Sequence, residues 1–535
     1  MDYLNVDRPT PSSSFMKDAE EKEANDDLEV DNSKCVLQKI ATLYADQLMS
    51  DLVLEVGGVG YPAHRLILCA NSEVFQVMLM NREWSEWRES RIVLQETTSA
   101  AAVFPLFLKY LYTGQIRISH QTVLPVLSLA DKYNVKDLVT LCLCYMSNHI
   151  AQAARLGEIV AWMQYTMACG HNDVAKACQN FVKWNFEWAC SERELPRLEG
   201  DALLALLQHS DLVLHNEMSA HDFVVRWLSV QRERLNASGL PEAEVKAHWE
   251  SLVVAVFSHV RFPMMCPKQL AKLLLSPLIQ EHKEFFMERL AIAMSYQSGQ
   301  YERVSEVMSL PGNSSLFTPR LYTEDTWGSV LAVDNFHSLP CYHTRPFIFS
   351  TRPCVSDADT QDKLTEWTIE LYPKGVWFRK SLLIVWARSY DVPEAVLRTV
   401  RLSIACQHPP EEGDLRVKIG ILVWGVQKGV EHISSVVEKV HRFSAQNRVL
   451  NIDGALDFDE LNTPLYSPSP RARSRPPSPA PQPQQHSRCA NCAGPCSVTD
   501  EPRHLLGPNR DQLKIQVVIV PLTDYCTIGN PDMNA

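Results

Sequence analysis

Three cysteines toward the C-terminal end have metal-site spacing. Cys489-x2-Cys492-x3-Cys496, with His486 and His504 nearby, offers three thiolates and an imidazole, the donors that hold zinc in a tetrahedron. The surrounding sequence supplies no strand or helix to order them, so neither a metal nor a cofactor is expected. Paired carboxylates suited to general acid–base work occur at Asp457 and Asp459, in a polar stretch with no accompanying motif. The chain has no nucleophile elbow, phosphate loop, dinucleotide fingerprint or zinc-protease spacing. The expectation is a protein that is not an enzyme and works by binding. One short constellation suits recognition. Trp84-Ser85-Glu86 places an apolar knob and a carboxylate two residues apart, so both can face one partner. Trp84 and Trp87 stand in a charged segment where local burial is hard, and exposed aromatics are frequent hot spots. The alternative is that Trp84 folds back on a core. His64-Arg65 precedes an apolar helix, where the pair can satisfy local hydrogen bonds.

The elements that must position these residues run from Ser50 to Gly114. Leu52, Leu54 and Val56 alternate with Val53 and Glu55, the period of a strand. Gly57, Gly58 and Gly60 allow a tight turn into a second strand. An apolar helix follows over Leu66–Ala70, then Ser72 as N-cap of a helix over Glu73–Met80, then a third strand at Arg91–Leu94. Helices are expected over Thr98–Leu111 and Gln121–Tyr133, and before the first strand over Cys35–Met49, where Val36, Leu37, Ile40, Leu43, Tyr44 and Leu48 share helical spacing.

The ordered residues Asp51, Val56, Ala63, His64, Arg65, Ser72, Phe75, Leu108, Leu111, Tyr112, Thr113 and Gly114 resemble the BTB/POZ domain, an α/β fold without catalytic activity. The resemblance implies a homodimer built on Val36, Leu37, Ile40, Leu43, Tyr44 and Asp51. It gives His64 and Arg65 a second possible role, lining a pocket near the dimer groove. Members that recruit cullin-3 carry a hydrophobic-x-Glu motif near the point where Trp84 and Glu86 stand, which makes these two the expected cullin contacts.

From Ala151 to Ser295 the pattern is helical throughout. Asp211-Leu212-Val213-Leu214, Glu217, Phe223, Val224, Trp227 and Leu228, with Val260-Arg261-Phe262-Pro263-Met264-Met265, resemble the all-α BACK domain, a spacer between a BTB domain and a substrate reader. After Tyr301 the period changes. Trp367, Ile369 and Leu371 alternate with Glu366, Thr368 and Glu370; Leu402 and Ile404 with Arg401 and Ser403; Val417, Ile419, Ile421 and Val423 with Lys418 and Gly420; and Leu513, Ile515, Val517 and Ile519 with Lys514 and Gln516. Several strands with one apolar face predict an antiparallel β-sandwich. This order of parts resembles the BTB/POZ domain-containing protein 17 family, whose C-terminal module is TRAF-like. The whole is therefore an α+β multidomain chain: an acidic disordered segment over 1–34, a BTB/POZ domain over 35–150, a BACK domain over 151–296, and a sandwich over 297–462 completed by 511–523. A Pro-rich disordered insertion occupies 463–510, with Ser467, Ser469 and Ser478 before prolines as phosphorylation candidates.

A length of 535 residues fits three or four such units. The net charge of −12 argues against a nucleic-acid binder, and no run approaches the ~20 apolar residues of a membrane helix. Fifteen cysteines, among them Cys142, Cys144, Cys169 and Cys178 on helices, read mostly as buried free thiols of a reducing compartment. Members of the resembling family can begin with an apolar secretion signal. This chain begins MDYLNVDRPT, and a cytoplasmic location is expected. The partners expected are a second copy of the chain, cullin-3 and an unknown protein substrate held by the sandwich. The alternative is a homodimeric scaffold with no ligase.

Overall fold

The structure, a computed structural model, describes residues 31–310, 312–351, 364–376, 397–410, 413–462 and 503–522. They fall into two compact units, one of residues 31–117 with 128–135, the other of 118–127 with the chain from 136 onward. The acidic segment up to residue 30, the serines before prolines, and Cys489, Cys492, Cys496 and His486 lie outside the described residues.

In the first unit, β1 (Leu52–Val56) pairs antiparallel with β2 (Val59–Ala63) and parallel with β3 (Arg91–Leu94). The β1–β2 connection is Gly57-Gly58, with φ of 57° and 81°. Two consecutive left-handed residues make the turn that matches strand twist, and glycine adopts them without strain. Leu52, Leu54 and Val56 are buried against the helices. Helix α2 (Arg65–Asn71) and helix α3 (Glu73–Met80) follow. Ser72 caps α3 by accepting from the Phe75 N–H at 3.1 Å, and its hydroxyl donates to the Tyr133 carbonyl at 2.5 Å. Phe75 stacks on Tyr133 with ring centroids 4.5 Å apart. The leading helix α1 spans Ser33–Ala45, shorter than the expected run to Met49. Gln47 and Met49 adopt φ of 53° and 59°, a left-handed conformation that an α-helix cannot contain.

In the second unit, helices continue from Lys136 to Ser309 with two departures from expectation. Val213–Leu214 is a short strand, β4, paired parallel with β5 (Leu321–Tyr322). Tyr301–Ser309 is a helix inside the segment assigned to strands. Beyond it lie two antiparallel sheets. One contains β6 (Gly328–Val333), β10 (Leu415–Gln427), β11 (Val430–Phe443), β13 (Leu505–Leu506) and β14 (Gln512–Pro521). The other runs β12–β9–β8–β7, from Val449–Ile452, Arg401–Cys406, Thr365–Tyr372 and Arg345–Thr351. Trp367, Ile369, Leu402 and Ile404 of the second sheet share one core with Ile419, Ile421, Ile515 and Val517 of the first. This is the expected sandwich.

The first sheet is covered on both faces. Leu422, Ile433, Val518 and Val520 form a second core with Val213 and Leu321, backed by Trp184. Gly420 permits this, because a Cβ there would stand 2.5 Å from Leu321 Cδ2. The helical region and the sandwich are therefore three layers of one body.

The insertion expected to run to residue 510 ends earlier. Leu505 and Leu506 are buried and pair with β14, so their side chains belong to the core. The ends of the remaining stretch lie close together: Glu460 Oε1 is 3.8 Å from His504 Nε2. Replacing residues 463–502 with a short Gly–Ser loop is expected to leave the sandwich folded, since loop closure changes by about 1–2 kcal/mol over such lengths. Extending the deletion through 509 removes two core leucines, each worth about 2–5 kcal/mol, and is expected to unfold the domain. Circular dichroism melts of the two deletions check this.

Cysteines also depart from expectation. Cys142 and Cys178 are buried thiols, but Cys35, Cys169, Cys266 and Cys341 are exposed.

Candidate interaction surfaces

The first unit positions Trp84 and Glu86 through Arg65. Asp51 Oδ1 accepts from the Arg65 N–H at 2.9 Å, fixing the start of α2. The guanidinium then donates to the carbonyls of Leu79 (3.4 Å), Glu86 (3.2 Å) and Glu89. One side chain thus ties the end of α3 to the 3-10 turn Ser85–Trp87. His64 is equally committed. Its backbone N–H donates to the Tyr112 hydroxyl at 2.9 Å, its Nδ1 lies 2.8 Å from that hydroxyl, and its Nε2 lies 2.7 Å from the Leu48 carbonyl. A hydroxyl that accepts from the amide donates to Nδ1, so Nε2 carries the proton that reaches Leu48. Burial pushes the Tyr112 phenol up to about 12. Both side chains make the local bonds that a helix-start pair would make.

On the loop that Arg65 holds, the two tryptophans differ. Trp87 is half-buried, with the guanidinium carbons of Arg82 and Arg88 at 5.6 and 5.5 Å from its ring centroid. Trp84 precedes the turn and is 49 % exposed. Glu86 is half-buried and accepts from the Ser85 hydroxyl at 2.9 Å. Val74, Val77 and Met80, spaced three apart along α3, are exposed as well. Trp84-Ser85-Glu86 thus follows directly on an apolar helix stripe whose exposure the residue spacing alone does not show.

Helix α1 lies along α4 (Thr98–Thr113). Tyr44 donates to the Pro105 carbonyl at 3.3 Å and its ring sits 5.2 Å from Tyr112. Ile40 and Leu43 are half-buried, whereas Val36 and Leu37 are 52 % and 53 % exposed. The helix has one apolar face occupied and another bare.

In the second unit, the helical layer and the sandwich meet in a buried polar network. Glu217 accepts from Arg320 Nε (3.1 Å), the Tyr322 hydroxyl (2.7 Å) and the Arg261 N–H (2.8 Å). The Arg320 guanidinium also donates to the carbonyls of Leu207, His209 and His259 at 2.7–2.8 Å. Arg320 and Glu217 side chains are both fully buried. Burial, then the Glu217 charge, raises the Tyr322 phenol well above its usual range. The tip of the β10–β11 hairpin borders a cavity of about 430 Å³, with Phe181 and Trp184 on the helical side and His432, Glu460, Arg503 and His504 on the other. His504 Nδ1 is 3.2 Å from the Ser434 hydroxyl. Asp457 accepts from the Glu460 N–H and Asp459 pairs with Arg398, so the carboxylates flagged in the sequence serve a helix start and a surface ion pair. Among the described residues no cluster of three or more His, Cys, Asp or Glu could hold a metal, and no helix is long and apolar enough to cross a membrane.

Residues 41–150 match the BTB/POZ domain, 159–240 the BACK domain (BTB And C-terminal Kelch), and 317–523 the BTBD17 TRAF domain. The chain is similar to BTB/POZ domain-containing protein 17 of Homo sapiens, 29 % identical over 365 residues, which is 67 % of this chain and 70 % of the relative. The same protein of Xenopus tropicalis is 26 % identical over 367 residues, covering 67 % and 72 %. Galectin-3-binding protein of Mus musculus is 25 % identical over 308 residues, 56 % of this chain and 49 % of that one.

Proposed function

From a chain that carries a BTB/POZ domain, a BACK domain and a BTBD17 TRAF domain in that order, we propose a non-catalytic, homodimeric adaptor that brings a protein substrate to a cullin-3 ubiquitin ligase. Its domains are protein-interaction domains. The observation that carries the ligase reading is the exposed Trp84 beside the bare stripe Val74, Val77 and Met80 on a loop fixed by Arg65. An aromatic anchor flanked by apolar side chains is the composition of a protein-binding hot spot. The adaptor contributes proximity, holding a substrate lysine near a charged conjugating enzyme and raising its effective concentration. The TRAF-like sandwich is the substrate-holding part of this reading. Affinity capture of the full chain from cells with cullin assembly intact is expected to recover cullin-3. Its absence leaves the homodimeric scaffold.

Dimerisation rests on the bare side of α1. A two-fold interface presents the same patch twice, and Val36 and Leu37 are placed for one. Light scattering of the full chain at micromolar concentration is expected to give twice the monomer mass. Val36→Asp with Leu37→Asp is expected to halve it. A wild-type monomer removes this interface.

The cytoplasm is the proposed location, on the exposed free thiols of Cys35, Cys169, Cys266 and Cys341. Fractionation with thiol labelling checks it: the four thiols are expected to label without prior reduction.

A further inference from the structure

The β10–β11 hairpin is clasped to the helical layer at its tip. Lys428 and Gly429 turn it, with φ of 49° and 77°. On one side of the turn, Gln427 accepts from the Ala151 N–H at 2.8 Å and donates to the Ser147 carbonyl at 3.1 Å. On the other, the Asn185 side chain meets Ile433 as a strand would, donating to its carbonyl at 3.0 Å and accepting its N–H at 2.9 Å. Between these anchors His432 packs on Phe181, ring centroids 5.0 Å apart.

His432 is 8 % exposed. Its Nδ1 donates to the Val430 carbonyl at 3.0 Å, and its Nε2 has no hydrogen-bond partner among the described residues. The helix Asn172–Trp184 presents Ala177, Asn180, Phe181 and Trp184 to the cavity, and β10 presents Val426 and Gln427, none of them charged. Charge enters the lining from Glu460, Arg503 and His504. Burial holds the His504 ring below the usual imidazole range, although Glu460, 3.8 Å away, and Asp457 favour a cation there and Arg503 opposes it. Glu460 is the one carboxylate among the described lining residues, and it stands by His504.

We infer that this clasp is a proton-operated joint: protonation of His432 releases the hairpin tip from the helix Asn172–Trp184 and loosens the sandwich from the helical layer. The imidazolium would stand buried against Phe181, beside a half-open cavity that already holds Arg503 and whose described carboxylate, Glu460, stands by His504, and burying a charge without a partner of its own is costly. Consistently, burial holds the His432 ring below the usual imidazole range, and proximity to His504 adds to this. The sign follows. The folded value lies below the unfolded value of about 6.5, so the clasp is fully stable above that pH and weakens as pH falls through it. One proton raises the opening equilibrium by at most about tenfold per pH unit.

Hydrogen exchange of the full chain at pH 7.5 and 5.5, corrected for intrinsic rates, tests the joint. Peptides covering 172–184 and 430–436 are expected to lose about tenfold in protection at the lower pH, while 512–521 keeps its protection. His432→Phe and His432→Gln, neutral at both pH values, are expected to abolish the loss. His504→Gln, which keeps His432, is expected to retain it. A wild type with unchanged protection overturns the proposal, as does equal loss in wild type and either His432 variant. Abolition by His504→Gln alone assigns the response to the other ring and overturns it too.

Discussion

The double substitution Trp84→Ala with Glu86→Ala is expected to cut binding of the full-length protein to the cullin-3 N-terminal region by roughly 30- to 800-fold. An aromatic anchor seated in a partner groove costs about 2–4 kcal/mol when truncated, at 1.4 kcal/mol per tenfold. Trp84 is half exposed, and its loop is held by Arg65 through backbone carbonyls that both substitutions leave in place; the one side-chain hydrogen bond given up is the Ser85–Glu86 bond at the exposed turn. The dimer measured by light scattering is expected to persist, because Val36 and Leu37 lie on another helix. Val77→Asp, one turn back along the stripe, is expected to weaken binding similarly. If wild type shows no binding, the ligase reading falls and the scaffold stands. If the double variant unfolds, Trp84 belongs to the core.

Glu217→Ala is expected to destabilise the second unit by about 3–5 kcal/mol, the cost of leaving a buried partner charge unpaired. It strands the Arg320 guanidinium and the Tyr322 hydroxyl at full burial. A simple buried pair can often be replaced by two apolar residues at little cost. Here Glu217→Leu with Arg320→Met is expected to give no recovery, since the carbonyls of Leu207, His209 and His259 lose their donor. Urea unfolding followed by tryptophan fluorescence checks both variants. Ten of the twelve tryptophans follow residue 135, so the signal reports mainly on this unit.

What could be read from the sequence was whatever repeats locally. The strands holding Trp367 and Leu402 were legible because buried and half-buried residues alternate along them; β10 and β14, buried on both faces, were legible because Lys418, Gly420, Lys514 and Gln516 interrupt their apolar runs. β11, Val430–Phe443, was not: its start docks on helices and its middle is half-buried on successive residues, so no period of two survives. β4 and β5 hold two residues each, too few for any period. Glu217 and Arg320 are 103 positions apart, a pairing without a sequence signature. The recognition motif at Trp84 and Glu86 was visible as residue types. The role of Arg65 was not, because a guanidinium serving three carbonyls looks like any helix-start arginine.

The shared second core bears on how such a protein can be cut or inherited. Ending the chain near residue 296 removes Leu321, Leu422, Val518 and Val520 from Val213 and Trp184 and deletes the partner of β4. The stump keeps Val213 and Trp184 without their cover, and an isolated sandwich would show water a second apolar face. Neither piece is a portable module. A graft of this TRAF-like sandwich onto another carrier, or a gene fusion joined at that boundary, would have to take the helical layer with it.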